Sequence, residues 1–213
     1  MKTLKRLLLL APLALAGGCI DNKPVVEMFG VCAPPDADAC SFDAECDGFY
    51  LGDVVVDIDS AQRLILFLEV HNQLLPNDDP GTGRVNTNDA FVQEVFVTFR
   101  GLDLDATSHR LQQVVPANGT TVIAAFPVTE EAVAQLGTLG IVGVVDFIAQ
   151  VRLRGILGDG SDFETAQYEI PVRVCNGCLP GVGPCADPAQ FLVGCPADPG
   201  AQAPTTVACV DAI

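Results

Sequence analysis

Residues 147–174 read FIAQVRLRGILGDGSDFETAQYEIPVRV, and the fold follows from how this stretch is patterned. Phe147, Ala149, Val151 and Leu153 alternate with Ile148, Gln150, Arg152 and Arg154. A period of two with polar residues on one side marks a half-buried strand, whereas a helix repeats its apolar residues every three or four. Gly158-Asp159-Gly160 then supplies a turn, because Asp-Gly tolerates the positive φ of a tight hairpin. Ala166, Tyr168, Ile170, Val172 and Val174 carry the alternation back. The two runs predict an antiparallel hairpin.

The same period extends upstream. In residues 63–72, Leu64, Leu66, Leu68 and Val70 fall on one face, and Arg63, Glu69 and His71 on the other. In residues 91–101, Val95, Val97 and Phe99 alternate with Glu94, Phe96, Thr98 and Arg100. Val122, Ala124 and Phe126 alternate after the Asn118-Gly119 turn, and residues 51–59 and 110–115 are weaker strand candidates. One short helix fits, with Thr129 as its cap, Glu130 and Glu131 in the first turn, and Gly137 at its end. About seven strands between residues 49 and 174 predict an all-β domain. The expected architecture is an antiparallel, Ig-like β-sandwich, with a small β-barrel as the alternative. The chain has no Trp and the strand zone no Cys, so the inter-sheet bridge of antibody domains is excluded.

The chain has 213 residues, 11 Lys and Arg against 27 Asp and Glu, a net charge of −16 and a pI of 4.1. Beyond residue 18 only eight basic residues remain, and the net charge is −19. So acidic a chain repels phosphate backbones, which excludes nucleic acid as a partner. It also lacks the basic patch that draws proteins to anionic lipid. Hydrophobic residues make up 49% and charged residues 18%, enough apolar surface for a core.

Residues 1–19 read MKTLKRLLLLAPLALAGGC. Lys2, Lys5 and Arg6 precede ten apolar residues, Leu7 to Ala16, and small residues lead into Cys19. That is the layout of an export signal, and ten apolar residues are too few to span a bilayer. The stretch Leu15-Ala16-Gly17-Gly18-Cys19 resembles the lipobox of bacterial lipoproteins, with the Leu one place further upstream than usual. The resemblance implies that residues 1–18 are removed and that Cys19 becomes a lipidated N-terminus. Its diacylglycerol, joined in Gram-negative bacteria by a third acyl chain, would hold the protein on a membrane, since two or more chains anchor stably. Ile20 and Asp21 follow Cys19, so the Asp that favours inner-membrane retention is not the next residue; the resemblance implies the outer membrane.

Three zones follow. Residues 19–48 form a Pro- and Asp-rich segment with Cys32, Cys40 and Cys46, residues 49–174 hold the strands, and residues 175–213 form a Cys-, Pro- and Gly-rich tail. The tail carries Cys175, Cys178, Cys185, Cys195 and Cys209. With Cys19 lipidated, eight cysteines remain, and an exported chain is expected to oxidise them. Three precede the strands and five follow, so complete pairing requires a bridge between the flanks. Cys46, just before the first strand, and Cys175, at the end of the last, are the candidates by position. Cys175-Asn176-Gly177-Cys178 could also be a redox pair or half a zinc site. The Leu179-Pro180-Gly181 that follows starts a helix poorly, and no second C-x-x-C or His pair is present, so a structural bridge is expected.

No hydrolase, metalloprotease, P-loop or dinucleotide-binding motif occurs, and we expect no enzyme, cofactor or metal. His71 reads as a solvated surface residue. Residues 43–48 begin like an EF-hand loop, but the twelfth position is Val54 rather than the required Glu. Asn77-Asp78-Asp79-Pro80-Gly81-Thr82-Gly83 could ligate calcium, although turn formers dominate it. Taken as a whole, the chain resembles envelope lipoproteins of Gram-negative bacteria with a sandwich-like centre and a Cys-rich tail. The likeness rests on the lipobox, on Leu68-Glu69-Val70-His71-Asn72-Gln73-Leu74, on Arg84-Val85-Asn86-Thr87-Asn88, on the terminal hairpin and on the C-x-x-C tail. It implies no particular activity. The expected function is that of an exported, lipid-anchored envelope protein, structural or protein-binding, with the membrane and an envelope protein as partners. The alternative is a ligand-binding module for calcium or carbohydrate using the acidic loops; aromatics at 6% weigh against sugar.

Overall fold

The computed structural model describes residues 24–33, 46, 48–59, 61–79, 81–83 and 85–178, and the strand backbones at 190–194, 201–202 and 207–211. The elements are β1 (Val26–Val31), β2 (Val54–Asp57), β3 (Leu64–Asn72), β4 (Ala90–Arg100), β5 (Thr107–Val115) and β6 (Gly119–Val128). Then come α1 (Glu130–Thr138), β7 (Val144–Leu157), β8 (Asp162–Glu164), β9 (Tyr168–Cys175), β10 (Gln190–Gly194), β11 (Ala201–Gln202) and β12 (Val207–Asp211). A three-stranded sheet has the order β1-β3-β6. A seven-stranded sheet runs β11-β2-β9-β7-β4-β5, with β8 also on β7, and β10 pairs with β12 alone. The fold is all-β, as the alternation predicts.

The two larger sheets share one core. From β3, Leu64, Leu66, Leu68 and Val70 are all fully buried. The larger sheet meets them with Val95 and Val97 of β4, Phe147, Ala149, Val151 and Leu153 of β7, and Ile170, Val172 and Val174 of β9. Every one of these positions is an inward residue of the sequence alternation. The hairpin expected around Gly158-Asp159-Gly160 is also present, with Gly160 at φ 86° in its turn. Its return arm is broken in two. β8 and β9 pair with the same side of β7, and between them Thr165 accepts the Leu153 N–H on its hydroxyl at 3.0 Å and donates its own N–H back at 3.0 Å. Ala166, expected inside the return strand, sits exposed at this break.

Four further differences have physical causes. First, not every pair is antiparallel: β2 runs parallel to β9, with Val54 opposite Val172 and Val56 opposite Val174. Second, β6 turns the other face inward. Ile123 and Ala125 are buried and Ala124 is exposed, because Leu68 pairs with Ile123 and Leu66 with Ala125. Both parities of β6 are apolar, so the register with β3 chooses. Third, β1 lies in the Pro- and Asp-rich segment, where alternation gave no strand. Its Val26 is fully buried, and it borders β3 with a bulge between Met28 and Gly30.

The fourth difference is the end of α1. Thr129 caps it, accepting the Ala132 N–H at 3.3 Å, but Gly137 lies inside the helix and Gly140, at φ 62°, takes the left-handed position beyond it. Gly137 is exposed, and a Cβ there would meet nothing within 4 Å. Gly137→Ala is therefore expected to raise stability by about 0.5–1 kcal/mol in a urea titration. A loss of stability would restore Gly137 as the helix terminator.

Candidate functional site

The outer face of the seven-stranded sheet carries most of the charge pairing. Arg154 meets Glu164 at 2.7 Å and lies over the Phe96 ring at 4.2 Å. Arg152 also reaches Glu164, and Arg100 reaches Glu169. Such exposed pairs contribute about 0–1 kcal/mol each. They read as a solvated, internally paired surface. Near one end of this face Arg173 lies between Asp146, at 2.9 Å, and Asp53, at 3.5 Å. Its hydrogen bond to Asp146 holds the guanidinium above its ordinary pKa. These residues line a groove of about 400 Å³ with Arg100, Gly101, Ile148 and Pro171.

One row beyond the groove, pairing sets Val144, Cys175 and Asp57 side by side across β7, β9 and β2. Cys175 is bonded to Cys178. The loop between them turns at Gly177, whose φ of 69° suits a residue without a side chain. Asp57 is buried, at 2% exposure. Its Oδ1 accepts the Gly177 N–H at 2.7 Å and the Asp59 N–H at 3.1 Å. The next residue, Ile58, donates its N–H to the Cys175 carbonyl at 2.9 Å. The parallel strand β2 is thereby tied to the end of β9. One carboxylate oxygen of Asp57 and both sulfurs lie within 4.8 Å of one another. With the sulfurs joined, the thiolates that a metal would need are absent, so the convergence is not a metal centre in this form.

Of the other cysteines named from sequence, Cys32 is bonded to Cys46. Both bridges are thus local, and Cys46 and Cys175 are not the pair that joins the flanks. Short separations in sequence favour such closures, because the ends meet at little entropic cost. Cys19, Cys40, Cys185 and Cys195 lie outside the described residues, and of Cys209 only the β12 backbone is described. If all eight pair within one chain, Cys40 must bond to Cys185, Cys195 or Cys209. Peptide mapping without reductant is expected to find Cys40 in a peptide linked to the tail, and free Cys40 would contradict complete pairing. The tail does return to the sheet, where Ala201 and Gln202 of β11 pair with Val56 and Val55.

Glu69 and His71 face outward as the alternation predicts, but they are not simply solvated. Glu69 is 6% exposed and accepts the Cys46 N–H at 2.7 Å. Its other oxygen meets His71 Nε2 at 3.0 Å, and the imidazole stacks on Phe29 at 4.0 Å. The arrangement fastens the N-terminal segment to β3.

The loop suspected of binding calcium is tied to the stretch that follows it. Asn77 donates to Thr87 and Asn88 side chains at 2.8 and 3.1 Å and accepts the Thr87 N–H at 2.7 Å. Asn86 donates to Asp89 at 2.7 Å, and Asp89 also accepts the Ala117 N–H at 2.8 Å. Asp79 takes the Gly81 N–H on its own carboxylate at 3.0 Å, an Asx-turn. Asn86, Thr87 and Asn88 are thus a scaffold for the loop that precedes them.

His109, on β5, was not singled out by motif. Among the described residues both its ring nitrogens and the Thr107 hydroxyl are buried without a hydrogen-bond partner, and its ring meets Phe126 edge-on at 4.6 Å. Burial pushes its pKa below 6.5, and the nearby Glu94 carboxylate partly offsets this. Above pH 6.5 the group is neutral in both folded and unfolded chains. Below it the unfolded chain binds the proton first, so stability falls as pH drops toward the lowered folded value. Thermal melts from pH 7.5 to 5.5 are expected to show this fall and His109→Leu to flatten it. An unchanged slope in the variant would assign it elsewhere.

No helix among the described residues is long and apolar enough to cross a membrane. Comparison with protein-family models and with curated proteins gives no match.

Proposed function

We propose that the protein is an exported lipoprotein, held on the outer membrane by acyl chains on Cys19, that serves as a protein-interaction module of the cell envelope. The export and anchoring half rests on the order of charge, apolar run and small residues before Cys19. The interaction half rests on β5. Among the described residues it pairs only with β4, so its outer edge offers a row of backbone donors and acceptors. Beside it runs a groove of about 710 Å³, lined by Phe91, Gln112, Gln113, Val114 and Ile156 among others. An extended partner segment can add to such an edge, taking affinity from the backbone and specificity from the groove. Phe91 and Val114 are exposed large apolar residues at this place.

A photo-crosslinking residue at Gln112, in protein expressed in its native envelope, tests the reading. One discrete adduct to an envelope protein is expected there, and none from the same residue at exposed Glu131 on α1. No adduct at Gln112, or equal labelling at both places, would remove the edge as the binding surface.

A further inference from the structure

We propose that the Cys175–Cys178 bridge is a thiol–disulfide exchange site for which Asp57 carries the proton. Three observations converge on it. The two residues differ in access: Cys178 is exposed, whereas Cys175 is 1% exposed. A buried carboxylate oxygen lies within 4.8 Å of both sulfurs. Cys175 stands two residues beyond Arg173 of the groove, paired with the exposed apolar residue Val144.

The chemistry follows from this asymmetry. An incoming thiolate of a partner dithiol can reach Cys178 Sγ, the accessible sulfur. Its attack forms a mixed disulfide on Cys178 and breaks the Cys175–Cys178 bond. The electron pair leaves on Cys175 Sγ, in a buried position where an unprotonated thiolate is costly. Asp57 takes a proton from solvent, delivers it to that sulfur and returns to the carboxylate that accepts the Gly177 and Asp59 N–H groups. The partner's second thiolate then attacks its own sulfur in the mixed disulfide and releases Cys178, which takes a proton from water. The partner dithiol ends as a disulfide and the bridge as two thiols, with two electrons transferred. In reverse, the Asp57 carboxylate takes the Cys175 proton, and the resulting thiolate expels the partner from Cys178.

Cys32–Cys46 is the internal control. Cys32 is 1% exposed and Cys46 is half-buried, and among the described residues no carboxylate is grouped with both sulfurs as Asp57 is with Cys175 and Cys178. The full-length oxidised protein is treated with dithiothreitol at neutral pH, quenched with alkylating agent and mapped by mass spectrometry. Cys175–Cys178 is expected to open at least about tenfold faster than Cys32–Cys46. Asp57→Asn keeps the Oδ1 acceptor for Gly177 and Asp59 but cannot carry a proton. It is expected to slow opening of this bridge, and its closure by glutathione disulfide, by at least about tenfold, with the Cys32–Cys46 rate unchanged. Equal rates in Asp57→Asn and the parent protein would overturn the role of Asp57. If the variant does not fold, the comparison of the two bridges in the parent protein decides. Opening of Cys175–Cys178 no faster than Cys32–Cys46 would reduce it to a structural clasp.

Discussion

Leu68→Ala is expected to destabilise the domain by about 2–5 kcal/mol, a large part of the roughly 5–15 kcal/mol that holds a domain folded. Leu68 is fully buried at the centre of β3, which is itself the middle strand of the smaller sheet. It stands opposite Val31 on one side and Ile123 on the other, and belongs to the core shared by both sheets. The substitution removes the transfer energy of the lost carbons and leaves a cavity that strands fastened on both sides cannot close. Leu75→Ala is the matched control. Leu75 is 69% exposed, so the same chemical change is expected to cost under about 0.5 kcal/mol. Urea titration of the two variants separates them. Equal effects would mean that the apolar row of β3 does not face the core.

Gly155→Ala is expected to cost at least about 3 kcal/mol, although it adds a single methyl group. Gly155 lies in β7 opposite Val92 of β4 and Phe163 of β8. A Cβ there would run into the Phe91 carbonyl oxygen, and would sit 2.9 Å from the Phe163 ring. The first obstacle is backbone in a neighbouring strand, which cannot swing aside as a side chain can. The crowding coincides with the shift of register between Val92 and Glu94, where β4 carries an extra residue relative to β7. That bulge is why Val92 and Val95, three residues apart, both point into the core. A thermal midpoint within two or three degrees of the parent's would show that β4 does not approach Gly155 so closely.

Where one face of a strand is apolar and the other polar, as in β3, β4 and β7, the alternation in the sequence names the buried residues. Burial energy alone selects the face there. It fails for β6, since Val122 and Phe126 are as apolar as Ile123, and the register with β3 makes the choice. It also fails for β1, whose six residues show no clean alternation and gain their burial from β3. The parallel pairing of β2 with β9 is a long-range choice that no local pattern encodes. For the same reason the meeting of Asp57 with the C-x-x-C was not legible. The spacing of Cys175 and Cys178 could suggest a bridge, but the carboxylate comes from a strand that precedes them by most of the domain. The turn formers of residues 77–83 favour a loop over a calcium site, and the hydrogen bonds of Asn77 and Asp79 suit such a loop; that Thr87 and Asn88 hold it was not legible, because those partners lie ten and eleven residues on.

Lipidation of Cys19 is the most direct test of the account, because the proposed export, membrane anchoring and envelope partnership all depend on it. The protein is extracted from its membrane in detergent, digested, and its N-terminal peptide weighed. A peptide beginning at Cys19 and carrying a diacylglycerol, with or without an additional acyl chain on the amine, is the predicted result. An N-terminus elsewhere, or an unmodified Cys19 in protein that leaves the membrane without detergent, would contradict it.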